Sequence, residues 1–310
     1  METVTELETT PPAPVKTSIF QSHVFDHLQK MENSSLVNSK ENCIRELRNL
    51  GIGDFGTVLW NMPDADFPKL SSLLPPMTSA EITQMWTGAT GDTLLDQALS
   101  FVRACSAQYA EITGESLIDK RILDFGCGYG RYLRLFSYDT DSVYGVDAWQ
   151  NSLVHSAEAG FGDVIRQVDA VAETIPFDFK FDFLFAFSIF THLSEASTVA
   201  ALKALRKAAR PGAVLIITIR PVEFWQLCAE GRSHVLLTEQ EVQGLVEAHT
   251  TSGFAYYPYV NEHEPDSELH YGDTSLTLDW LLSKVDGWEF CGFDRSINDP
   301  LQRYIAFKAV

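Results

Sequence analysis

Between Arg121 and Ile219 the chain keeps returning to one rhythm: a short apolar run, a turn, then a helical stretch. The most constraining run is FDFLFAFSIF, residues 181 to 190, whose apolar side chains fall on both parities of a strand. A strand like that must be covered on both faces, as in the middle of a parallel sheet. RILDF (121 to 125), VYGVD (143 to 147), DVIRQVD (163 to 169) and AVLIITI (213 to 219) supply four more strands. Helical patterns separate them near 129 to 136, 149 to 159, and from Ser194 to a stop at Pro211-Gly212. Alternation at these lengths predicts a parallel sheet with right-handed crossovers and helices on both faces.

The flanks read differently. Residues 1 to 18 are rich in Thr, Glu and Pro and read as a disordered tail. Val24, Phe25, Leu28 and Met31 share one helical face, and Ser39 caps a second helix that runs toward Gly51. Residues 54 to 91 carry many Pro, Gly, Ser and Thr and read as a long ordered loop or arm. A strong helix follows, with Leu95, Leu99, Val102, Cys105, Tyr109 and Ile112 at helical spacing. After Arg220 the alternation breaks. Thr238 and Glu241 form a capping box, GFAYYPYV and LHY read as an extra strand pair, and a helix spans roughly 275 to 285. WEFCGF and LQRYIAFKAV supply two last strands.

Composition narrows the partners. The 310 residues carry a formal charge of -19, from 23 Lys and Arg against 42 Asp and Glu. Phosphate backbones and anionic membranes require basic surface, so neither nucleic acid nor membrane is an expected partner. The five cysteines are scattered and never form a C-x-x-C pair, which fits reduced thiols rather than a disulfide frame or a zinc site. With no signal-like start and no apolar run of membrane length, the expected location is cytoplasmic.

The loop after the first strand is the chemical clue. Gly126, Gly128 and Gly130 follow RILDF with Cys127 among them. A helix start at the carboxyl edge of a parallel sheet offers free N–H groups, and glycine lets a ligand lie against that backbone or simply permits a tight turn. A dinucleotide fingerprint needs G-x-G-x-x-G, and Arg131 stands where its third glycine belongs, so a nicotinamide-dependent oxidoreductase is disfavoured. Asp147 closes the second strand, where an acid faces the ribose hydroxyls of a bound nucleoside. Asp169 closes the third, as an acceptor for an adenine amino group or as a helix cap.

ILDFGCGYGR, VYGVD, VDA and FDFLFAFSIFTHL, in that order, resemble the class I S-adenosylmethionine-dependent methyltransferases, in particular bacterial small-molecule members with a GCG-x-GR loop. The resemblance implies a doubly wound α/β fold: a Rossmann-like sheet of seven strands, mostly parallel, with an antiparallel last strand inserted beside the fifth. It divides the chain into the tail, an N-terminal helical arm or cap over 19 to 120, and a methyltransferase domain over 121 to 310. An insertion at 221 to 274 would serve as a lid over the acceptor. The cofactor implied is S-adenosylmethionine. Gly126, Cys127, Gly128 and Gly130 would pass close to its methionine moiety, and Asp124 would help position the amino group. Asp147 would hold the ribose and Trp149 cover the adenine face. Asp169 and Ala170 would bracket the adenine, and Phe187 and Ser188 face the sulfonium. Trp86, Thr87 and Gly88 would close over the cofactor from the arm.

Methyl transfer from a sulfonium mainly needs alignment, and an acceptor with a proton to lose calls in addition for a base. His192, just past the fourth strand, is the base candidate, or else a structural histidine bonding the loop beside the cofactor. Glu223 is a further candidate base, or a solvated loop acid. His234, His263 and His270 fall in the insertion, with Phe224, Trp225, Tyr256, Tyr257, Tyr259 and Tyr271. Those aromatics line a pocket for a small organic acceptor, a sugar or secondary-metabolite hydroxyl, or form a satellite core. The alternative from another class is a nonenzymatic scaffold that binds the cofactor or its demethylated product.

Overall fold

The computed structural model describes residues 18–259, 270–295 and 299–310. The expected tail, up to residue 17, and His263 lie outside the described residues. At the centre is a seven-stranded sheet built from β1 (Ile122–Phe125), β2 (Val143–Asp147), β3 (Ile165–Gln167), β4 (Phe181–Ala186), β5 (Ala209–Ile219), β8 (Trp288–Arg295) and β9 (Arg303–Ala309). Its order is β3-β2-β1-β4-β5-β9-β8. The first five strands run parallel, and β9 is antiparallel to both β5 and β8. This is the doubly wound sheet anticipated from the sequence, with the antiparallel insertion beside the fifth strand.

The apolar strands explain the layering. Phe183 and Phe185 of β4 join the cluster under α6 (Gly91–Thr113) and α7 (Arg131–Phe136). Leu184 and Ala186, one residue out of phase, join the opposite cluster with Leu202 and Leu205 of α9 (Glu195–Ala208) and Leu281 of α12 (Leu278–Lys284). All four are fully buried, so both faces of this strand are used.

Two expectations change in the arm and the fifth strand. Residues 54 to 91 are not one long loop: α3 (Ile52–Asn61), α4 (Pro68–Leu73) and α5 (Ala80–Thr87) occupy most of them. Proline and serine start the last two, with Pro68 at the first helical position and Ser79 capping Ile82 N. Phe55, Val58 and Leu59 bury against Val24 and Leu28 of α1 (Ser22–Asn33) and Leu47 of α2 (Lys40–Leu47). Pro211-Gly212 does not separate helix from strand. The helix ends at Ala208, and the pair lies inside β5 where the register with β4 shifts between Phe181 and Phe183. Proline brings no N–H, and Gly212 takes φ +78°, so together they make a bulge.

The insertion folds as α10 (Glu223–Ala229), α11 (Glu239–Ser252) and an antiparallel pair, β6 (Phe254–Pro258) with β7 (Gly272–Leu276). The capping box at Thr238 and Glu241 is present. The second strand of the pair is Gly272–Leu276, while Leu269 of LHY and Val260 lie outside the described residues, and the following helix starts only at Leu278 because Thr277 caps it.

Arg134 fastens the arm to this core. Its guanidinium, 2% exposed, donates to the Leu59, Pro75 and Pro76 carbonyls at 3.2, 2.8 and 2.8 Å. Arg134→Ala strips those carbonyls of a charged donor and is expected to cost about 3 kcal/mol of unfolding free energy. Urea denaturation checks this as a lower midpoint at unchanged slope.

Candidate active site

Three strand ends converge at the carboxyl edge of the sheet. After β1 the chain turns through Gly126 and Gly128, both left-handed at φ +82° and +54°. A side chain at Gly126 would come within 2.1 Å of Ile189 Cδ1, so conformation and space both demand glycine there. At Gly128 the nearest atoms belong to the Trp86 ring, 4.0 Å away. Trp86 also packs on Tyr129 and, edge-on, against His155. The arm thus reaches the glycine loop through Trp86, next to Thr87 and Gly88.

Asp147 ties this loop to the next. Its Oδ2 accepts from Gly128 N and its Oδ1 from Trp149 N, each at 2.9 Å. Burial raises its carboxyl above the ordinary range, while the amides of Trp149 and Gly128 pull it back. One aspartate therefore sets the walls on both sides of the cleft. Trp149 stays 40% exposed and lies edge-on to Tyr271, with ring centroids 4.7 Å apart. Asp124 is 1% exposed, and its Oδ2 has no hydrogen-bond partner. Burial drives that carboxyl well up, against the pull of the nearby Arg131 guanidinium. Cys127 is buried against Gly145 of β2. Gly130 is the N-cap of α7, against Phe161. Asp169 and Ala170 are exposed, and Asp169 lines a cavity of about 230 Å3 with Gln167, Val168, Glu173, Thr174 and Pro176.

Beyond β4, Phe187 packs edge-on to Phe101. Ser188 adopts φ +58°, a conformation rare for a residue with a side chain. Thr218 Oγ1 holds its N–H at 2.7 Å, and Gln302 Nε2 donates to its hydroxyl at 3.1 Å. The next residues form a rail for the insertion. Gly272 N donates to His192 O, Thr274 N to Thr191 O and Thr274 Oγ1 to Leu193 O. His192 is part of that rail. Its Nδ1 donates to Gly272 O at 2.7 Å, and its Nε2 lies 3.4 Å from Arg220 Nη2. The ring stacks on Tyr271 at 5.2 Å. Burial, with Arg220 beside it, lowers the imidazole to about 3.

Sequence reasoning missed the pair at the centre of this region. Arg220, at the end of β5, pairs with Asp273 of β7; the two are 5% and 0% exposed. Burial would raise the Asp273 carboxyl, but His234, Arg220 and His192 outweigh it and hold it at about 2. Arg131 was also missed: its guanidinium lies over the Tyr132 and Phe187 rings at 4.5 and 5.3 Å. The signal for Arg220 was its place directly after an apolar strand; nothing local marks Asp273. The insertion's aromatics divide. Phe224 and Trp225 fill a satellite core with Val242 and Leu245, whereas Tyr259 and Tyr271 sit on His192. His234 joins the second group, 2.5 Å from the Tyr259 hydroxyl. Glu223 begins α10 and lies near His249. His270 uses its carbonyl to accept from Ser194 N.

Residues 123–217, less than half of the chain, match the methyltransferase domain family. The matched segment runs from β1 through most of β5, so the parallel part of the sheet is an enzyme core. No curated protein matches the chain. Among solved structures it is similar to the PH0226 protein from Pyrococcus horikoshii OT3, at 13% identity and TM-score 0.49, over 75% of this chain and 100% of that one. It is also similar to an S-adenosylmethionine-dependent methyltransferase from Clostridium acetobutylicum ATCC 824, at 13% identity and TM-score 0.46, over 74% and 97%. A third is the glycopeptide N-methyltransferase MtfA complexed with sinefungin, at 12% identity and TM-score 0.45, over 66% and 92%. Among the described residues no helix is long and apolar enough to cross a membrane.

The buried His192 has a consequence for stability. Its folded pKa of about 3 lies below the ordinary histidine value, so the unfolded chain binds the extra proton between those limits. Its contribution is present above the unfolded pKa and is lost as pH falls from about 6.5 toward 3. His192→Gln should flatten the stability–pH slope in that window by up to about 1.4 kcal/mol per pH unit. Urea unfolding at a series of pH values between 4 and 7 reads it.

Proposed function

We propose that the chain transfers the methyl group of S-adenosylmethionine to a hydroxyl of a small organic acceptor, a sugar or secondary metabolite. The observation that carries this reading is the junction of the glycine loop and Asp147, which presents bare backbone and a carboxylate side by side at the sheet edge. The polar and aromatic group of Arg220, Asp273, His192, His234, Tyr259 and Tyr271 lies on the same edge and supplies an acceptor site.

The residues fit the cofactor's polar groups. Asp124 has a buried oxygen without a donor, suited to an α-amino group. The Arg131 guanidinium, over the Tyr132 and Phe187 rings, suits the α-carboxylate. The Asp147 carboxylate takes the Gly128 and Trp149 amides at the cleft edge and suits a ribose hydroxyl there. Gly126, Cys127, Gly128 and Gly130 run along the methionine part, and Phe187 and Ser188 face the sulfonium. Trp149 covers the adenine, with Asp169 and Ala170 at its rim. When bound, the cofactor supplies an electrophilic methyl on positively charged sulfur. The chain's part is to orient the acceptor in line and to keep water out, which Trp86 and Tyr271 do from opposite sides. His192, with both ring nitrogens engaged, holds the insertion against the sheet.

Calorimetry with S-adenosylhomocysteine tests binding, and a methyl-donor turnover screen over alcohols, phenols, amines and thiols tests the acceptor class. Asp147→Ala should weaken S-adenosylhomocysteine binding by about 1–3 kcal/mol through an unpaired ribose. Unchanged affinity removes Asp147 from the site.

A further inference from the structure

The methyl-transfer reading leaves open which group removes the acceptor's proton. A base for that task must have a bare ring nitrogen, a partner that fixes its tautomer, and an exposed side chain. His192 has the position but not the lone pair, because Nδ1 donates to Gly272 O and Nε2 faces Arg220. His234, in the segment between α10 and α11, has all three. Its side chain is 52% exposed. Its Nε2 lies 3.1 Å from Asp273 Oδ2 and 2.5 Å from Tyr259 Oη. A proton on Nε2 is the arrangement that turns no lone pair toward the carboxylate. That leaves Nδ1 bare, and it makes no hydrogen bond to a described residue.

The surroundings keep this dyad in order. Asp273 is fully buried and anchored through Oδ1 by Arg220, whose guanidinium lies 3.9 Å over the Phe224 ring. Its Oδ2 is the oxygen that faces His234 Nε2. Among the described residues, the charged and titratable groups facing His234 include Asp273 on β7, Tyr259 beyond β6, and Arg220 and His192 at the sheet edge. The ring contacts run from Trp149, beside Asp147, through Tyr271 and His192 to His234. They connect the proposed cofactor pocket to this imidazole without a break.

We propose that His234 is the general base for the acceptor hydroxyl, and that Asp273 is the positioning residue that fixes its tautomer. This rests on the methyl-transfer reading. The acceptor oxygen forms its bond to the methyl carbon with a lone pair. The sulfur–methyl bond breaks with its electron pair passing to sulfur, and the O–H proton passes to Nδ1. Positive charge moves from sulfonium to imidazolium, where Asp273 receives it. The acceptor class that follows is one whose hydroxyl must lose a proton, an alcohol or a phenol, rather than a thiolate already ionised.

Histidine ring NMR on the 15N-labelled full chain, with His234→Gln used for assignment, tests the arrangement without any acceptor. The expected result is neutral His234 protonated at Nε2, with the Nδ1 tautomer gaining population in Asp273→Asn. Tyr259→Phe, which leaves the Arg220–Asp273 pair intact, keeps the Nε2 tautomer and serves if Asp273→Asn does not fold. A neutral His234 protonated at Nδ1 overturns the proposal. On any hydroxyl acceptor that the screen yields, His234→Gln should lower kcat by about 100-fold or more with little change in the acceptor KM. S-adenosylhomocysteine affinity should stay within about twofold of wild type. Undiminished turnover of that variant also overturns the proposal. Failure of the wild-type chain to bind S-adenosylhomocysteine sinks the methyl-transfer reading itself, whereas binding with the wrong tautomer sinks only the role of His234.

Discussion

The carboxylate of Asp147 organises the working edge of this protein. It is buried at the end of β2, and its two oxygens each receive a backbone amide, one from the glycine loop and one from the start of α8 (Gln150–Glu158). Those amides belong to two different βα turns. A single side chain therefore fixes how far apart the turns stand, and with them the width of the cleft. Taking the acid out of water costs free energy, and the amides return part of it, as the opposed influences on its pKa make visible. The two turns are tied together through this polar junction as well as through packing of the glycine loop against Ile189, Trp86 and Phe161.

Two attachments complete the edge from opposite sides. The N-terminal arm, fixed by Arg134, carries Trp86 to the glycine loop. The insertion is fixed by the rail that follows β4, where Thr191, His192 and Leu193 pair with Gly272 and Thr274. The segment FSIFTHL thus does two jobs. Its first residues pass the cleft, and its last hold the insertion in place. The Arg220–Asp273 pair, buried and hydrogen-bonded, sets the register of that contact. A buried ion pair is weak evidence of stability, but it is intolerant of the loss of either partner, which suits a fixed geometry.

The sheet was legible because its cause is local: strands that are apolar on both parities, punctuated by glycine and helix caps, admit few other architectures. Asp147 and the glycines were legible for the same reason, since strand ends at one edge of a parallel sheet converge whatever the intervening sequence. The arm was misread between residues 54 and 91 because proline and serine mark helix starts as readily as loops, and only burial of Phe55 and its neighbours decides which. Pro211-Gly212 misled in the same way, since a bulge and a helix stop share residue types. Asp273 was invisible. Its partner Arg220 lies far away in sequence, and no period or motif announces a contact made between an insertion and a strand end.

The position of β9 has a consequence for how the molecule comes into being. This strand is not an edge; it fills the slot between β5 and β8, although its residues lie far downstream of β5. On the ribosome, β1 to β5 emerge first, and the exposed flank of β5, an unpaired row of N–H and C=O groups set among isoleucines and leucines, waits for Arg303–Ala309 to arrive. During that interval the nascent sheet is a template for any extended strand, its own or a neighbour's. Synthesis rate and chaperone shielding, rather than final stability, then govern how much chain reaches the native topology.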